Sequence, residues 1–268
     1  MKVKLFLDGN KPKVGEEELK RAIRDAGLDV STRRADMGVV VGGDGLFSFY
    51  GRTEALPLLF VGVRSRSATG SKAYLAAAYF DELPEVLKDL AGGQYAVEKH
   101  RRLRILRNGK SLGEVFTDVY LQRGAESNCI RYRVRVSGEG VSIDESAIGD
   151  GVVVSTSAGS TGYYSYPDKI SGDEVEVSGH AGIGLDEIGI CHVVPTFTER
   201  HGTGEHPLRY TVPWGSRIEI SITRRADARL YGVSPGREGI GIGLKDVISV
   251  LPSENATKVV TLPVQPPP

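Results

Sequence analysis

The pattern of apolar residues changes character near residue 95, and this change constrains the fold more than any other feature of the sequence. Before it, short apolar runs alternate with segments whose apolar residues recur at helical spacing. Such alternation predicts a parallel sheet with helices packed on its faces. The predicted strands are residues 3–7, 38–41 and 58–63, and the predicted helices are residues 16–26, 74–80 and 83–90.

After residue 95, apolar and polar residues alternate in short runs that are separated by turns rich in Gly, Asn, Pro and Ser. Period-two alternation between such turns is typical of antiparallel sheets. We therefore predict an α/β domain over residues 1–95, an all-β domain over residues 96–255 and a tail over residues 256–268. The predicted strands of the second domain are residues 103–106, 115–119, 132–136, 151–155, 175–177, 217–222 and 246–251.

Charge and composition exclude several classes of protein. The 268 residues include 34 basic and 34 acidic side chains, so the formal net charge is zero. A non-specific binder of nucleic acid or of a membrane surface needs a basic excess, so we expect neither partner. The sequence lacks both a long apolar run and the apolar segment of a signal peptide. Its two cysteines, Cys129 and Cys191, are expected to be buried thiols in a reducing, cytoplasmic setting.

The most informative local feature is a glycine turn with one acid, Gly42, Gly43, Asp44 and Gly45, directly after the predicted strand 38–41. Glycines let a backbone approach phosphate closely and adopt positive φ, and the amides of such a turn can bind an anion. A carboxylate there would repel phosphate. It makes chemical sense as a base for an attacking hydroxyl, or as a ligand for the Mg²⁺ of a nucleotide. The alternative interpretation is an ordinary strand-to-loop turn.

A second polar run begins with Gly-Asp-Gly at residues 149–151 and continues, after an apolar strand, to residue 166. It is rich in Ser, Thr, Gly and Tyr. Hydroxyls and amides can bind a ribose, a phosphate or a base edge, and tyrosines can stack on a base. A flexible polar loop has the same composition. The combination with the first glycine turn favours a binding site.

Together the two runs resemble the signatures of the NAD kinase family, which are a GGDG turn after a strand and a stretch of the form GDG-apolar-ST-x-TGSTAY. Residues 149–166 read GDGVVVSTSAGSTGYYSY, and further similarity extends the resemblance over residues 35–255. The resemblance implies a two-domain fold, with an N-terminal Rossmann-like α/β domain and a C-terminal antiparallel β-sandwich-like domain. It also implies an active site between the domains and a homodimer or homotetramer.

The family's reaction transfers a phosphoryl group from ATP, or in some members from polyphosphate, to the 2′-hydroxyl of the adenosine ribose of NAD. Mg²⁺ or another divalent cation accompanies the ATP. By this resemblance Asp44 is the base that activates the hydroxyl, and Gly42, Gly43 and Gly45 line the phosphate path. The residues implied to bind the dinucleotide are Asp150, Thr156, Ala158, Ser160, Thr161 and Tyr163.

Two departures from the family's pattern fall beside the implied substrate. Leu46 stands where the family has Thr, so a hydroxyl is lost next to the first glycine turn. Thr117 and Asp118 stand where the family has an Asn-Glu pair that holds the substrate. The Asp is one methylene shorter than Glu, and the Thr lacks amide donors. An unsatisfied group in a buried polar site costs about 1–3 kcal/mol. We therefore expect the ligand to bind differently, or to be a different ligand.

Two further departures concern charge. Arg64, Arg66 and Lys72 follow the third predicted strand, where the family has an Asn-x-Gly-x-Leu-Gly-Phe stretch. Three cations among small hydroxyl residues suit an anion, and we predict that they bind phosphate, although a solvated loop is the alternative interpretation. Near the C-terminus, Tyr231 and Gly232 replace an Asp-Gly turn.

Three functions are compatible with these residues. The first is an NAD kinase, which the intact Asp44 turn and the second polar run favour. The second is a related kinase for another small hydroxyl compound, which Thr117, Asp118 and the cationic segment favour. The third is a non-catalytic nucleotide-binding regulatory protein, which has little need of Asp44. His201 and His206 match no standard zinc spacing, so no protein-held metal is predicted.

Overall fold

The computed structural model describes residues 1–7, 15–63, 73–126, 128–171, 182–234 and 238–263. By its internal contacts the chain divides into two units. Unit 1 consists of Met1–His100 and Ala256–Pro268, and unit 2 consists of Arg101–Asn255.

Unit 1 contains a parallel sheet with helices. Its elements are β1 (Lys2–Leu7), α1 (Glu16–Asp25), β2 (Asp29–Val30), β3 (Met37–Gly42), α2 (Asp44–Thr53), β4 (Leu58–Gly62), β5 (Ala78–Tyr79) and α3 (Leu83–Ala91). Within this unit the strands follow the order β2-β1-β3-β4, and all of these pairs are parallel. At its end β4 also pairs with β5.

The sequence explains why these segments form a covered sheet. Every residue of β3 is buried, as expected for a parallel strand with both faces packed. Helix α1 buries Leu19 and Ile23 on one face, carries three acidic residues in its first turn and ends near Gly27, which adopts a φ of 80°. The apolar face of α1 therefore packs into the same core as the strands.

The prediction of a helix over residues 74–80 is wrong. Residues 74–75 form a turn, Ala78 and Tyr79 form β5, and Phe80–Glu82 form a 3₁₀ turn that leads into α3. Small apolar residues fit helical spacing, but here Ala78 gains a parallel partner in Val61 of β4. Tertiary pairing thus overrides a weak helical preference.

Unit 2 is built almost entirely of strands. Two long strands, β6 (Ala96–Arg107) and β18 (Ile248–Thr261), continue beyond its bounds. Its other elements are β7 (Lys110–Val115), β8 (Asp118–Arg123), β9 (Ile130–Gly138), β10 (Val141–Gly149), β11 (Gly151–Ser155), α4 (Tyr166–Ser171), β12 (Glu187–Val193), β13 (Phe197–Arg200), β14 (Arg209–Pro213), β15 (Arg217–Ile222), β16 (Ala228–Tyr231) and β17 (Ile240–Ile242).

The strands of unit 2 form a β-sandwich. One layer follows the order β13-β10-β9-β15-β18 and the other the order β14-β12-β11-β8-β16-β17, with antiparallel pairing throughout. Val134 of the first layer and Val152 of the second belong to one buried cluster. The predicted two-domain architecture, α/β followed by an antiparallel β-sandwich, is thus confirmed.

Two details of the β region differ from the prediction. Residues 115–119 are not one strand, because the chain turns at Phe116 and Thr117 between β7 and β8. The carbonyl of Thr117 accepts a hydrogen bond from the Thr156 amide, next to the β8–β11 pairing. The tail predicted from residue 256 is also wrong in its first part, since Val259 and Val260 are buried in β18. The predicted strand 175–177 lies outside the described residues.

The cysteines and the apolar segments are placed as follows. Cys191 is buried, and burial raises the pKa of its thiol to about 12. Cys129 is exposed, contrary to the expectation, because it lies in the turn before β9 rather than inside a strand. Among the described residues, none of the helices combines the length and apolar character needed to cross a bilayer.

Candidate functional site

The acid of the first glycine turn is held by the backbone of a neighbouring segment. Strand β3 ends at Gly42, Gly43 precedes α2, and Asp44 is the first residue of that helix. Its Oδ2 accepts a hydrogen bond from the Tyr74 amide at 3.1 Å and its Oδ1 one from the Leu75 amide at 3.0 Å. Charge-assisted bonds of this kind fix the orientation of a carboxylate. Neither partner was foreseen, because backbone amides leave no signature in a sequence.

The glycines of this turn provide open space rather than unusual torsion angles. None of Gly42, Gly43 and Gly45 adopts positive φ, so the expectation on that point is wrong. A Cβ atom added at Gly43 or Gly45 would meet no atom of the described residues within 4 Å, and both glycines are exposed. The described part of the chain therefore leaves the start of α2 open to a ligand, and helix N-termini favour anions.

Leu46 explains why Gly42 has no side chain. A Cβ atom at Gly42 would lie 2.6 Å from Cδ2 of Leu46, closer than carbon atoms pack. The leucine that replaces the family's Thr is therefore packed against the glycine turn. The predicted phosphate-binding residues Arg64, Arg66 and Lys72 lie outside the described residues.

In unit 2, the predicted dinucleotide residues belong to one face of the second layer and to the segment that follows β11. Alternate residues of β8 and β11, such as Val119 and Val152, point into the sandwich core. Tyr120 and Val153 belong instead to a cluster on the opposite face, together with Tyr163. Register places Asp118 of β8 opposite Ser155 of β11. The face is therefore built by strand pairing between segments that lie far apart in the sequence.

The hydroxyls at the end of β11 serve the backbone. The Thr156 Oγ1 lies 2.8 Å from the Phe116 carbonyl and 3.1 Å from the Thr117 carbonyl, and Thr156 is 2% exposed. The Ser155 Oγ lies 3.0 Å from the Thr156 carbonyl. Thr156 was predicted to bind substrate directly. Its buried hydroxyl instead ties the Phe116–Thr117 turn to the loop that follows β11.

Asp118 is a carboxyl group on this face whose pKa is clearly perturbed. Burial raises its pKa to about 6, although a hydrogen bond from Thr117 Oγ1 at 3.3 Å opposes the shift. A Cβ atom added at Gly162 would lie 3.5 Å from Asp118 Oδ2, so the carboxylate lies against the second polar run. A partly buried carboxyl beside Thr117 can accept hydrogen bonds from hydroxyls of a ligand when it is ionised.

The shifted pKa of Asp118 predicts a pH-dependent effect on stability. Because the folded-state pKa lies above the ordinary value, the folded protein binds more protons than the unfolded chain between pH 4 and 6, and stability falls as pH rises through that range. Asp118→Asn should therefore stabilise the protein at pH 8 by about 1–3 kcal/mol. The gain should disappear at pH 4.

Thermal unfolding of wild type and variant at both pH values measures this difference. An equal effect at both pH values would show that the carboxylate charge is not what costs stability.

Three tyrosines surround this carboxylate. The rings of Tyr120 and Tyr231 stack with centroids 5.2 Å apart, and Tyr163 meets Tyr120 edge-on at 5.4 Å. The hydroxyl of Tyr163 accepts a hydrogen bond from Gln122 at 2.9 Å. Gly232 has a φ of 96°, and a Cβ atom there would lie 2.5 Å from the Asp118 carbonyl oxygen. Tyr231, which stands where the family has Asp, thus stacks on Tyr120, and the two rings form an aromatic wall beside Asp118.

Asp150 is part of an ion pair. Its carboxylate lies 2.7 Å from the Nε of Arg123, and its carbonyl accepts the Arg123 amide at 2.8 Å. Sequence reasoning missed Arg123, which comes into range because β8 and β11 pair side by side. Any anion or cation that approaches Asp150 therefore meets a carboxylate already partly neutralised by a guanidinium.

The remaining predicted residues lie in the loop after β11. Ser160 is fully buried, Thr161 is 6% exposed and Ala158 is partly exposed. Lys169, which the sequence analysis did not select, donates to the carbonyls of Thr161 and Gly162 at 2.8 and 3.0 Å. The ammonium group closes the turn and brings a positive charge to the second polar run.

The described residues do not form a binding site for a metal ion. Over the described parts of the chain, no three His, Cys, Asp or Glu side chains lie close enough together to hold one. The imidazole of His201 lies 2.9 Å from the Ser146 hydroxyl, and His206 bonds the Thr198 carbonyl. The two histidines are thus engaged in separate contacts.

The sequence is similar to those of several proteins named NAD kinase. The chain is 33% identical to the NAD kinase of Nitrosomonas europaea over 143 residues, which are 51% of this chain and 45% of that protein. It is 32% identical to the NAD kinase of Azotobacter vinelandii over 169 residues, 60% of this chain and 55% of that protein. The match thus spans about half the length of these relatives. No family model matches the chain.

Two solved structures share the fold. Yeast NADH kinase complexed with NADH superposes with a TM-score of 0.70 at 16% identity, covering 98% of this chain and 84% of that one. The NAD kinase from Archaeoglobus fulgidus in complex with ATP gives 0.65 at 19% identity, covering 98% and 94%. The chain is thus similar to NAD kinases in sequence over about half its length, and it shares the fold of these two solved structures.

Proposed function

We propose that this protein is a phosphotransferase that moves a phosphoryl group from ATP, or from polyphosphate, to the 2′-hydroxyl of the adenosine ribose of NAD. The observation that carries the proposal is the fixed carboxylate of Asp44 in an open glycine turn at the start of α2. The sequence relatives named NAD kinase support the same reaction. The products are NADP and ADP.

In this proposal Asp44 is the general base. It accepts the proton of the 2′-hydroxyl as the ribose oxygen bonds to the γ-phosphorus and the bond to the β-phosphate oxygen breaks. The amides of Tyr74 and Leu75 orient the carboxylate and leave it no freedom to turn away. Orientation of this kind is a large part of what enzymes contribute to phosphoryl transfer.

The phosphates of the donor are proposed to approach Gly43 and Gly45, where no side chain of the described residues blocks the start of α2. Arg64, Arg66 and Lys72 are proposed to add positive charge. Mg²⁺ is proposed to enter as a complex with ATP and to neutralise the phosphate charge, since it prefers phosphate and water oxygens to a cage of protein ligands.

The acceptor dinucleotide is proposed to bind on the tyrosine-rich face of unit 2. Asp118 and Thr117 supply acceptors for ribose hydroxyls, and Tyr163 supplies an aromatic surface. Asp150 would contact the dinucleotide as a member of its ion pair with Arg123. Ala158, Ser160 and Thr161 are proposed to line the pocket from the loop after β11. Thr156 holds that loop through its hydrogen bond to the Phe116 carbonyl.

A second function keeps the chemistry and changes the acceptor. The raised pKa of Asp118 and the aromatic wall of Tyr120 and Tyr231 differ from what an Asn-Glu pair and an Asp-Gly turn would provide. These differences favour a kinase for another small compound with a hydroxyl group. A non-catalytic nucleotide-binding role is the remaining alternative.

A ligand panel separates these functions. Melting temperature is measured with NAD, NADH, ATP and a set of hydroxyl metabolites, because a ligand at 100 times its Kd stabilises the folded state by about 2.7 kcal/mol. Each stabilising compound is then tested for ATP consumption. NAD kinase activity predicts stabilisation and turnover with NAD or NADH. Turnover with another acceptor alone supports the second function, and stabilisation without turnover supports a binding protein.

Oligomeric state and location complete the proposal. Val194, Phe197 and Leu208 of unit 2 are 54%, 40% and 41% exposed, and exposed apolar side chains of this kind support a homodimer or homotetramer. Zero net charge and the small number of cysteines support a cytoplasmic enzyme. Light scattering coupled to gel filtration measures the assembly, and a monomer would contradict the first of these statements.

A further inference from the structure

A buried polar network inside the β-sandwich has no role in the proposed reaction. Glu145 of β10 is fully buried, and three side chains hydrogen-bond to its carboxylate. Tyr210 Oη lies 2.6 Å from Oε2, Arg200 Nε 2.8 Å from Oε1, and His192 Nε2 3.2 Å from Oε2. A buried carboxylate with three partners is costly to assemble, which invites the question of what it holds in place.

The network continues through the other nitrogen of the imidazole. His192 Nδ1 lies 2.9 Å from Tyr132 Oη, and Tyr132 Oη lies 2.5 Å from the carbonyl oxygen of Gly151. His192 and Tyr132 are both buried. A continuous chain of hydrogen bonds therefore runs from Glu145 to the backbone at the start of β11.

The donor and acceptor roles along this series of hydrogen bonds assign the protonation state of His192. Two oxygens 2.5 Å apart need a proton between them, and the carbonyl of Gly151 has none, so Tyr132 donates to it. Having used its single proton, the hydroxyl must accept from His192 Nδ1. At the other end, Glu145 as a carboxylate can only accept, so Nε2 carries a proton too. The geometry makes His192 an imidazolium.

The charges around the imidazolium are consistent with this state. Burial would raise the pKa of Glu145, but hydrogen bonds from His192, Tyr210 and Arg200 outweigh it, and the pKa is lowered. Burial raises the pKa of Tyr132 and of Tyr210, so both hydroxyls keep their protons.

Other neighbours of the network balance its charge or hold the histidine backbone. Arg200 is also paired with Glu205 at 2.7 Å, so two carboxylates face two cations. The Tyr166 hydroxyl donates to the backbone carbonyl of His192 at 2.7 Å. The buried thiol of Cys191, with its raised pKa, stays neutral.

The series of hydrogen bonds ends at the turn formed by residues 149–151, whose backbone is closely packed. A Cβ atom at Gly149 would lie 2.8 Å from Pro195 Cα, and one at Gly151 would overlap the Leu121 carbonyl. The amide of Asp150 donates to the Val193 carbonyl at 2.9 Å. Tyr132 therefore holds, through Gly151, the same short turn that carries Asp150.

We propose that Glu145, His192 and Tyr132 form a positioning relay in which a doubly protonated His192 holds the turn at residues 149–151, so that Asp150 faces the dinucleotide. Only the identity of the ligand rests on the proposed function. Removal of the Tyr132 hydroxyl breaks this chain of hydrogen bonds and releases Gly151.

The protonation state is tested by NMR on protein labelled with ¹⁵N in histidine and with ¹³C and ¹⁵N in glycine. The His192→Asn variant identifies the ring signals of His192. Both ring nitrogens of His192 should appear protonated, and the Gly151 backbone signals should shift in the Tyr132→Phe variant. A singly protonated ring, or Gly151 signals that this variant leaves unchanged, would overturn the relay.

Tyr132→Phe removes the connecting hydroxyl and little else. We expect the amide of Asp150 to exchange with solvent about tenfold faster, as for loss of one hydrogen bond. The matched control is Tyr164→Phe, which also removes a buried hydroxyl, one that lies 3.5 Å from the Tyr210 carbonyl. Equal acceleration in both variants would contradict a specific positioning role.

Kinetics then connect the relay to the ligand. Tyr132→Phe should raise the KM for NAD severalfold with little change in kcat, because it loosens a binding residue and leaves Asp44 intact. An unchanged KM in a variant whose turn has loosened would refute the link to the dinucleotide. If wild-type protein makes no NADP, the proposed function fails, while the NMR and exchange results still decide whether the relay exists.

Discussion

Replacing Asp44 with Asn is expected to lower kcat for NADP formation by about 10²–10⁴-fold, the usual contribution of a general base. Asn has nearly the same shape but cannot accept the proton of the 2′-hydroxyl. The KM values for ATP and NAD should change little, because the carboxylate acts on the reacting hydroxyl rather than on the bulk of either substrate. Steady-state kinetics with saturating ATP, Mg²⁺ and NAD measures the effect.

Two controls make this result specific. Asp25→Asn removes an exposed carboxylate at the end of α1 and should retain full activity. Asp44→Asn itself should lower the free energy of unfolding by only about 1 kcal/mol. The Asn side chain places an NH₂ group, which cannot accept a hydrogen bond, against the backbone amide of either Tyr74 or Leu75. A folded Asp44→Asn variant with wild-type kcat would remove Asp44 from the chemistry.

Gly151→Ala is expected to be the most damaging small substitution for stability. Gly151 has a φ of 152°, which strains any other residue, and an added Cβ would overlap the Leu121 carbonyl of β8. Backbone strain and overpacking each cost about 1–3 kcal/mol, so we expect a loss of about 3 kcal/mol or more. For a chain of this size that lowers Tm by about 6–12 °C.

The matched control lies in the same layer. Gly241 in β17 has no atom within 4 Å of an added Cβ and no positive φ, so Gly241→Ala should leave Tm nearly unchanged. Thermal denaturation of both variants followed by circular dichroism makes the comparison. If Gly151→Ala were as stable as the Gly241 variant, the close pairing of β8 and β11 at this turn would be refuted.

Local sequence patterns were sufficient for the architecture. Continuous apolar runs predicted the buried parallel strands β3 and β4, and period-two alternation predicted β9 and β15. The same patterns failed where tertiary contacts decide, as at Ala78 and Tyr79 in β5 and at the Thr117 turn.

The contacts of the site lay mostly beyond the reach of sequence patterns. Arg123 meets Asp150, and Tyr231 meets Tyr120, only because particular strands pair in a particular register. The carboxylate of Asp44 is held by two backbone amides that any residues would provide. Register and backbone donors depend on the whole fold, so a local pattern cannot reveal them.

The departures from the family's pattern now have structural consequences. Leu46 packs against Gly42, so its effect is on the shape of the glycine turn. Tyr231 stacks on Tyr120 beside Asp118, whose pKa is raised to about 6. Asp118 and Tyr231 belong to the tyrosine-rich face of unit 2, where we propose that the acceptor binds, whereas the proposed base Asp44 belongs to unit 1.

We propose that a phosphoryl group moves from ATP to the 2′-hydroxyl of NAD, with Asp44 as the base. Phosphorus NMR of a reaction containing wild-type protein, ATP, Mg²⁺ and NAD tests it most directly, because the spectrum reports which oxygen receives the phosphate. We predict one new ribose 2′-phosphate for each ATP converted to ADP, and at least about a hundredfold less product in the same time with Asp44→Asn. Unchanged NAD in the presence of folded wild-type protein, or a phosphate on any other hydroxyl, would contradict the claim.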